Sequence, residues 1–80
     1  MNRNALERLL AAEGVRTDAY SLYGDVRDEC LCLLPAEGGW TVFHAERGDR
    51  SNVRHFETED EACDAMARSL LADGGNRSHG

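Results

Sequence analysis

Three cysteines and two internal histidines are the side chains of this sequence best suited to chemistry, and they are Cys30, Cys32, Cys63, His44 and His55. Thiolates and imidazoles are the usual ligands of tetrahedral zinc, and a thiolate beside a histidine base is a common nucleophile. The spacing favours neither use, because Cys30 and Cys32 lie within an apolar run instead of a CxxC turn. Free cysteine is among the most buried residue types, so we interpret all three as core residues and predict no metal site.

A nucleophilic role for Cys63 is also disfavoured. Cys63 falls in the first turns of a predicted helix, where the pKa of a thiol can drop. The acidic residues at 59–61 surround that helix end and oppose formation of a thiolate. The glycine pairs at 38–39 and 74–75 lack the pattern of a phosphate-binding loop. The sequence therefore predicts no catalytic residue and no cofactor, and we expect a protein that is not an enzyme.

Two helices are predicted at the ends of the chain. Asn4 and Glu7 stand at capping-box spacing before an apolar stripe, which predicts a helix over residues 4–13 that stops at Gly14. Thr58 and Glu61 form a second capping box, and the acidic residues at 59–61 complement the helix dipole. The second helix should continue to the glycines at 74–75.

The region between the helices is predicted to form strands. The apolar run 29–34 is followed by Pro35, which should end the strand because proline has no N–H to donate. Residues 36–39 predict a hairpin turn into a strand at 40–45, and the polar segment 46–52 predicts a second turn before a strand at 53–57. A short edge strand is predicted near 20–23. Such short connections favour antiparallel neighbours.

These elements together predict a single α+β domain over residues 1–73. We expect a two-layer α-β-β-β-β-α fold, in which an antiparallel three- to four-stranded meander carries the N-terminal and C-terminal helices on one face. The other face would then meet solvent or a partner, with some aromatic surface exposed. Residues 74–80 have no packing signal and are predicted to be a disordered tail.

The composition narrows the kinds of partner. Fifteen acidic residues outweigh nine basic ones, all arginine, for a net charge of −6. Because nucleic-acid affinity rests on cations that neutralise phosphates, we expect no nucleic-acid partner, and a basic protein surface is the natural match. No apolar run is long enough to span a bilayer, and the odd number of cysteines favours reduced thiols. We therefore expect a cytoplasmic protein, monomeric or homodimeric, with no membrane partner.

A candidate partner-binding surface centres on the polar segment 46–50. Its plainest interpretation is a solvated turn, whereas its functional interpretation is a recognition loop. Arginine, tyrosine and tryptophan are the residues enriched at binding hot spots. The predicted surface comprises Tyr23, Trp40, His44, Glu46, Arg47, Asp49, Arg50 and Arg54. For Trp40 the sequence also favours ordinary packing against the sheet.

Three segments carry a family resemblance. Residues 18–22 read DAYSL, residues 39–48 read GWTVFHAERG, and residues 54–63 read RHFETEDEAC. Over residues 4–72 the chain resembles small bacterial immunity-type proteins encoded beside polymorphic toxins, notably toxins with NAD-glycohydrolase domains of the TNT type. The resemblance implies a small, soluble protein that occludes the active site of a cognate toxin without chemistry of its own. It carries over no functional residues.

Two other functions remain open at this point. One is a homodimeric structural or regulatory protein that pairs through the exposed sheet face or an edge strand. The other is a small DNA-binding or accessory domain, since a sheet with a helix can enter a groove, although the charge of −6 weighs against it. Oligomeric state and the neighbouring gene separate the homodimer from the toxin-neutralising module.

Overall fold

The computed structural model describes residues 1–24 and 28–72, and it confirms the α+β class. The elements in chain order are α1 (Arg3–Ala12), a short 3₁₀ turn (Thr17–Ala19), β1 (Tyr20–Ser21), β2 (Cys30–Ala36), β3 (Gly39–Glu46), β4 (Asp49–Phe56) and α2 (Glu59–Ala72). The predicted tail at 74–80, with the helix stop at Gly74, lies outside the described residues. None of the described helices is long and apolar enough to cross a membrane.

Helix α1 begins earlier than the sequence predicts. Its N-cap is Asn2, whose side-chain oxygen accepts a hydrogen bond from the backbone N–H of Ala5 at 2.8 Å. The predicted cap, Asn4, therefore lies within the first turn, because Asn2 offers the same side-chain acceptor two residues earlier. The predicted stop at Gly14 is confirmed: its φ is +76°, and the N–H of Val15 returns to the carbonyl of Leu10 at 2.9 Å.

Helix α2 begins with the predicted capping box. The hydroxyl oxygen of Thr58 accepts a hydrogen bond from the backbone N–H of Glu61 at 3.1 Å. The same hydroxyl donates to the carboxylate of Glu61 at 3.2 Å, which ties the two side chains together. This arrangement satisfies one of the free N–H groups at the start of the helix.

The sheet has the strand order β1-β2-β3-β4, and its last two pairings are antiparallel as predicted. The expectation of antiparallel neighbours is wrong for β1, which runs parallel to β2 through the pairs Tyr20–Leu31 and Ser21–Cys32. A two-residue strand is only about 7 Å long. Eight residues separate the end of β1 from the start of β2, which is more than enough chain to span that length.

Strand β2 does not end at Pro35. It continues to Ala36, and Pro35 lies opposite Trp40 of β3. Because β1 pairs only with Leu31 and Cys32, no described strand lies beside the outer edge of β2 at Pro35. A proline is tolerated where its missing N–H faces an open edge, so the predicted strand end is wrong.

The second hairpin is much tighter than the predicted turn over 46–52. Only Arg47 and Gly48 form the turn, with φ values of +51° and +84°. Positive φ at both central residues is the two-residue geometry that suits the twist of a hairpin. Strand β4 therefore starts at Asp49, and the polar segment read as a turn is largely a strand. An irregularity in the β3–β4 pairing follows at Asn52, whose φ is also positive at +52°.

Two apolar clusters lie on opposite faces of the sheet. The helix-side cluster buries α1 and α2 against β2 and β3, with Leu6, Leu10, Leu33, Val42, Cys63 and Met66 all fully buried. The far-side cluster consists of Cys30, Cys32, Phe43 and Ala45, with Leu34 partly buried beside them. The prediction that the cysteines are core residues is confirmed.

The far face of the sheet is not the open aromatic surface that the sequence predicted. Phe43 is 0% exposed, and the guanidinium of Arg50 lies over its ring at 4.4 Å from the centroid. An alternating strand with apolar groups on both faces can be covered by loops and by the stems of long charged side chains. This face is therefore packed, and a candidate binding surface must be sought elsewhere.

Candidate partner-binding surface

The structure does not bring the eight predicted surface residues together on the far face of the sheet. Trp40 and His44 lie on the helix side of β3, opposite the helix-side positions of β2. Glu46 and Asp49 close the tight hairpin as its last paired residues. Arg50 lies on the far side over Phe43. The predicted set thus divides into two aromatic residues near α1, Tyr23 and Trp40, and a larger group at the hairpin and along β4.

Tyr23 and Trp40 bracket an arginine that sequence reasoning missed. The guanidinium of Arg3 lies 5.1 Å from the centroid of the Tyr23 ring and 5.0 Å from that of the Trp40 ring. These distances are typical of cation–π contacts. The Tyr23 hydroxyl also donates a hydrogen bond to the side chain of Asn4 at 2.8 Å. These contacts within the chain account for the positions of both aromatic side chains, so neither side chain is evidence for a binding partner.

Arg3 also joins three separate elements. Its Nε donates to the carboxylate of Glu59 at 3.1 Å, and its backbone N–H donates to the same oxygen at 3.0 Å. Its Nη1 donates to the carbonyl of Leu22 at 3.4 Å. The N-terminal ammonium of Met1 pairs with Asp60 beside it. Nothing in the spacing of the sequence singles out Arg3, because its partners lie up to 56 positions away.

Strand β4 is the outer strand of the sheet. It pairs with β3 on one side, and no described strand lies on its other side. All seven residues from Asp49 to His55 are exposed, and only Phe56 is partly buried. An edge strand presents unpaired backbone N–H and C=O groups, which makes it a template for another extended chain. We call this outer side of residues 49–56 the β4 edge.

A groove lies on the helix side next to the β4 edge. Its volume is about 590 Å³, and its lining residues are Leu31, His44, Asn52, Val53, Arg54 and Ser69. We call it the β4–α2 groove, because Ser69 belongs to α2 and three of the lining residues belong to β4. The Arg54 guanidinium donates to the Ser69 hydroxyl at 3.4 Å, which places its positive charge at the groove wall.

The charge of this region differs in sign from the charge of the whole chain. Arg3, Arg16 and Arg68 each lie within 4 Å of a carboxylate. Among residues 1–24 and 28–72, no ion pair involves Arg47, Arg50 or Arg54. The imidazole of His44, which lines the groove with Arg54, likewise makes no side-chain hydrogen bond within those residues. Residues 46–56 contain these three arginines and two carboxylates, Glu46 and Asp49, so the segment has a net charge of +1 on a chain whose net charge is −6.

The cysteine and histidine arrangements do not assemble into a reactive site in the described part of the chain. The Cys30 and Cys32 sulfurs lie 3.4 Å apart in the far-side cluster, whereas Cys63 is in the helix-side core. His55 is hydrogen-bonded through Nδ1 to Thr41 Oγ1 at 3.0 Å. Within the described ranges no three histidine, cysteine or acidic residues are grouped to hold a metal ion.

The environment of Cys63 opposes a thiolate, as the sequence predicts. Burial raises the pKa of its thiol, and the nearby carboxylate of Glu59 raises that pKa further. The N-terminal ammonium and Arg3 act in the opposite direction without overcoming these two effects. Cys63 is thus held in the protonated form, which is the inert state of a buried structural cysteine.

Comparison with known proteins finds no protein-family model, no curated protein and no solved structure that matches this chain. The resemblance to immunity-type proteins therefore stays a prediction from the sequence.

Proposed function

We propose that this chain is a non-enzymatic protein-binding module that contacts its partner through the β4 edge and the β4–α2 groove. The observation that carries the proposal is an eight-residue outer strand that is exposed from Asp49 to His55. Backbone groups on such an edge supply affinity to an incoming chain, and an adjacent groove supplies selectivity through side chains. Arg47, Arg50 and Arg54 add the charge that guides encounter.

The first partner to test is a toxin domain encoded beside this chain. The resemblance to immunity-type proteins implies that partner, and a small acidic module without chemistry of its own suits the role. In this proposal the chain acts in the cytoplasm and neutralises the toxin by covering its active site. The positive β4 edge would meet a negative patch there, while acidic surfaces elsewhere would meet basic ones.

Calorimetry with the toxin domain from the neighbouring gene, together with an assay of its NAD hydrolysis, tests this proposal. We expect a one-to-one complex and loss of hydrolysis at micromolar concentrations. Val53→Asp, at a β4 position that is 47% exposed, should weaken the complex at least about tenfold, because it places a new charge in the interface.

Ala5→Asp is the matched control, since it adds the same charge at an exposed position of α1. It should leave the affinity unchanged. Absence of a complex, or equal effects of the two variants, would reject the proposed function at this surface.

An open edge also supports the second function, a homodimer that pairs β4 with β4 of another copy. Sedimentation equilibrium separates the two functions. A dimer that persists on dilution favours self-pairing, whereas a monomer that binds the toxin domain favours the module.

A further inference from the structure

The β4 edge has features that would resist addition of an arbitrary strand. Arg50 and Arg54 flank it on opposite faces of the sheet, and the pairing with β3 is irregular near Asn52. Charged side chains and bulges are devices by which proteins prevent indiscriminate pairing at a sheet edge. An occupant of this edge must therefore offset the positive charge as well as supply backbone partners.

The β4–α2 groove contains the positive charge that a bound chain would contact. An extended chain beside β4 directs every second side chain toward the helix side of the sheet. There the groove contains Arg54 and His44, neither of them paired with a carboxylate in the described part of the chain, and Leu31 and Val53 form its apolar walls. The Arg54 guanidinium is already positioned by Ser69 at 3.4 Å and by the Phe56 ring at 5.8 Å.

Resting on the proposed function, we infer that the bound element is an extended acidic segment that adds as a strand outside β4. One of its carboxylates enters the β4–α2 groove and is bound by Arg54, with His44 as a second donor. The flanking side chains are β-branched or aromatic, because they pack on a pleated surface beside Leu31 and Val53. The net charge of the whole chain favours a basic partner, but this surface favours an acidic one. Salt screens charges that lie more than about 10 Å away, so the charges next to the surface decide which partner it attracts.

A library of random seven-residue peptides displayed on phage, selected against the immobilised chain, tests the inference without knowledge of the natural partner. We expect enriched peptides to carry an aspartate or glutamate flanked by β-branched or aromatic residues. Enrichment of basic peptides, or of no acidic ones, would overturn the inference.

Substitutions of Arg54 then test its contact with the carboxylate of the peptide. Affinity for the synthetic form of an enriched peptide should fall about tenfold or more in Arg54→Gln, because hydrogen bonds to a charged group are lost. Arg8→Gln, on the exposed face of α1, should change the affinity less than about twofold. Arg54→Glu should no longer bind the acidic peptide. It should instead bind a peptide in which lysine replaces the acidic residue that contacts Arg54. Equal effects of Arg54→Gln and Arg8→Gln, with both variants folded by circular dichroism, would overturn the inference.

The toxin domain separates this inference from the proposed function. If Arg54→Gln binds the toxin domain as tightly as the wild-type chain does, the acidic-strand inference fails and the binding function stands. If the wild-type chain binds neither peptide nor toxin domain, both fail.

Discussion

At the residue scale, Arg3 shows how one side chain can fasten a small domain together. It lies between the rings of Tyr23 and Trp40 and donates to Glu59 of α2 and to the backbone of Leu22. Each of these contacts is modest when taken singly. They share one ordered side chain, so the entropy lost in fixing it is spread over several interactions.

We predict that Arg3→Gln lowers the free energy of unfolding by about 1–2 kcal/mol, the sum of two cation–π contacts and a partly buried charge-assisted hydrogen bond. Arg8→Gln on the same helix should change it by less than about 0.5 kcal/mol. Urea denaturation followed by circular dichroism measures both values. Equal effects would show that the Arg3 contacts contribute nothing specific.

Cys63 predicts a dependence of stability on pH. Burial raises the pKa of its thiol above the ordinary value of 9.0, and burial together with Glu7 raises the pKa of the Tyr20 phenol above 10.0. Both groups favour their neutral forms in the folded state. Their contribution is complete below those ordinary values and is lost as the pH rises through the folded-state pKa values.

The urea midpoint should therefore fall as the pH rises above about 9, where the unfolded thiol ionises. Cys63→Ala removes the thiol contribution, so the difference in midpoint between wild type and variant should shrink between neutral and alkaline pH. A difference that stays constant would contradict the assignment to Cys63.

At the element scale, the two hairpins depend on glycine for different reasons. Gly38 adopts a φ of +79°, and a Cβ there would meet no other atom within 4 Å. Gly39 lies at the start of β3, where a Cβ would collide with the backbone carbonyl oxygen of Phe56 at the end of β4. The first glycine supplies a conformation, and the second allows two strands to approach closely.

Gly38→Ala should therefore cost about 1 kcal/mol of stability, from backbone strain at positive φ. Gly39→Ala should cost more, about 2–3 kcal/mol, because the backbone of β3 or β4 must shift to admit the methyl group. The midpoints of thermal unfolding show which of the two variants is the less stable. The reverse order would contradict the close approach of Gly39 to Phe56.

The sequence predicted which segments form helices and strands better than it predicted the residues at which they begin and end. Capping at Thr58 and the stop at Gly14 are local signals, and both are confirmed. The errors at Pro35 and in the segment 46–52 have one cause: polar or proline residues are compatible with a strand at an open edge, and openness is a property of the whole sheet. The parallel pairing of β1 likewise depends on where an eight-residue connection returns.

The candidate site was predictable only in part. Arg47, Arg50 and Arg54 were identified from residue type, and they do lie on or beside the β4 edge. Leu31 and Ser69 were missed, because they reach the groove from β2 and α2 through tertiary packing that no spacing reports. Tyr23 and Trp40 belong instead to the contacts around Arg3.

At the scale of the whole molecule, both faces of the sheet bury their apolar side chains, and this limits self-association. The large hydrophobic residues exposed in the described part of the chain are Met1, Tyr23 and Val53. Permanent dimers usually bury more than about 2,000 Å² of largely apolar surface. Three scattered side chains do not supply such a surface.

We therefore predict that the isolated chain sediments as a monomer at micromolar concentrations. Sedimentation equilibrium over a range of loading concentrations should give a single mass independent of concentration. A dimer at the lowest concentration would contradict this prediction and would favour the homodimeric function.

Hydrogen exchange is the most direct test of the central claim that the β4 edge binds a partner protein. Amide exchange would be compared by mass spectrometry between the free chain and its complex with the neighbouring toxin domain. The proposed surface predicts slower exchange on complex formation in residues 49–56, with little change on the exposed face of α1. A complex that slows exchange in α1 and leaves residues 49–56 unchanged would contradict it.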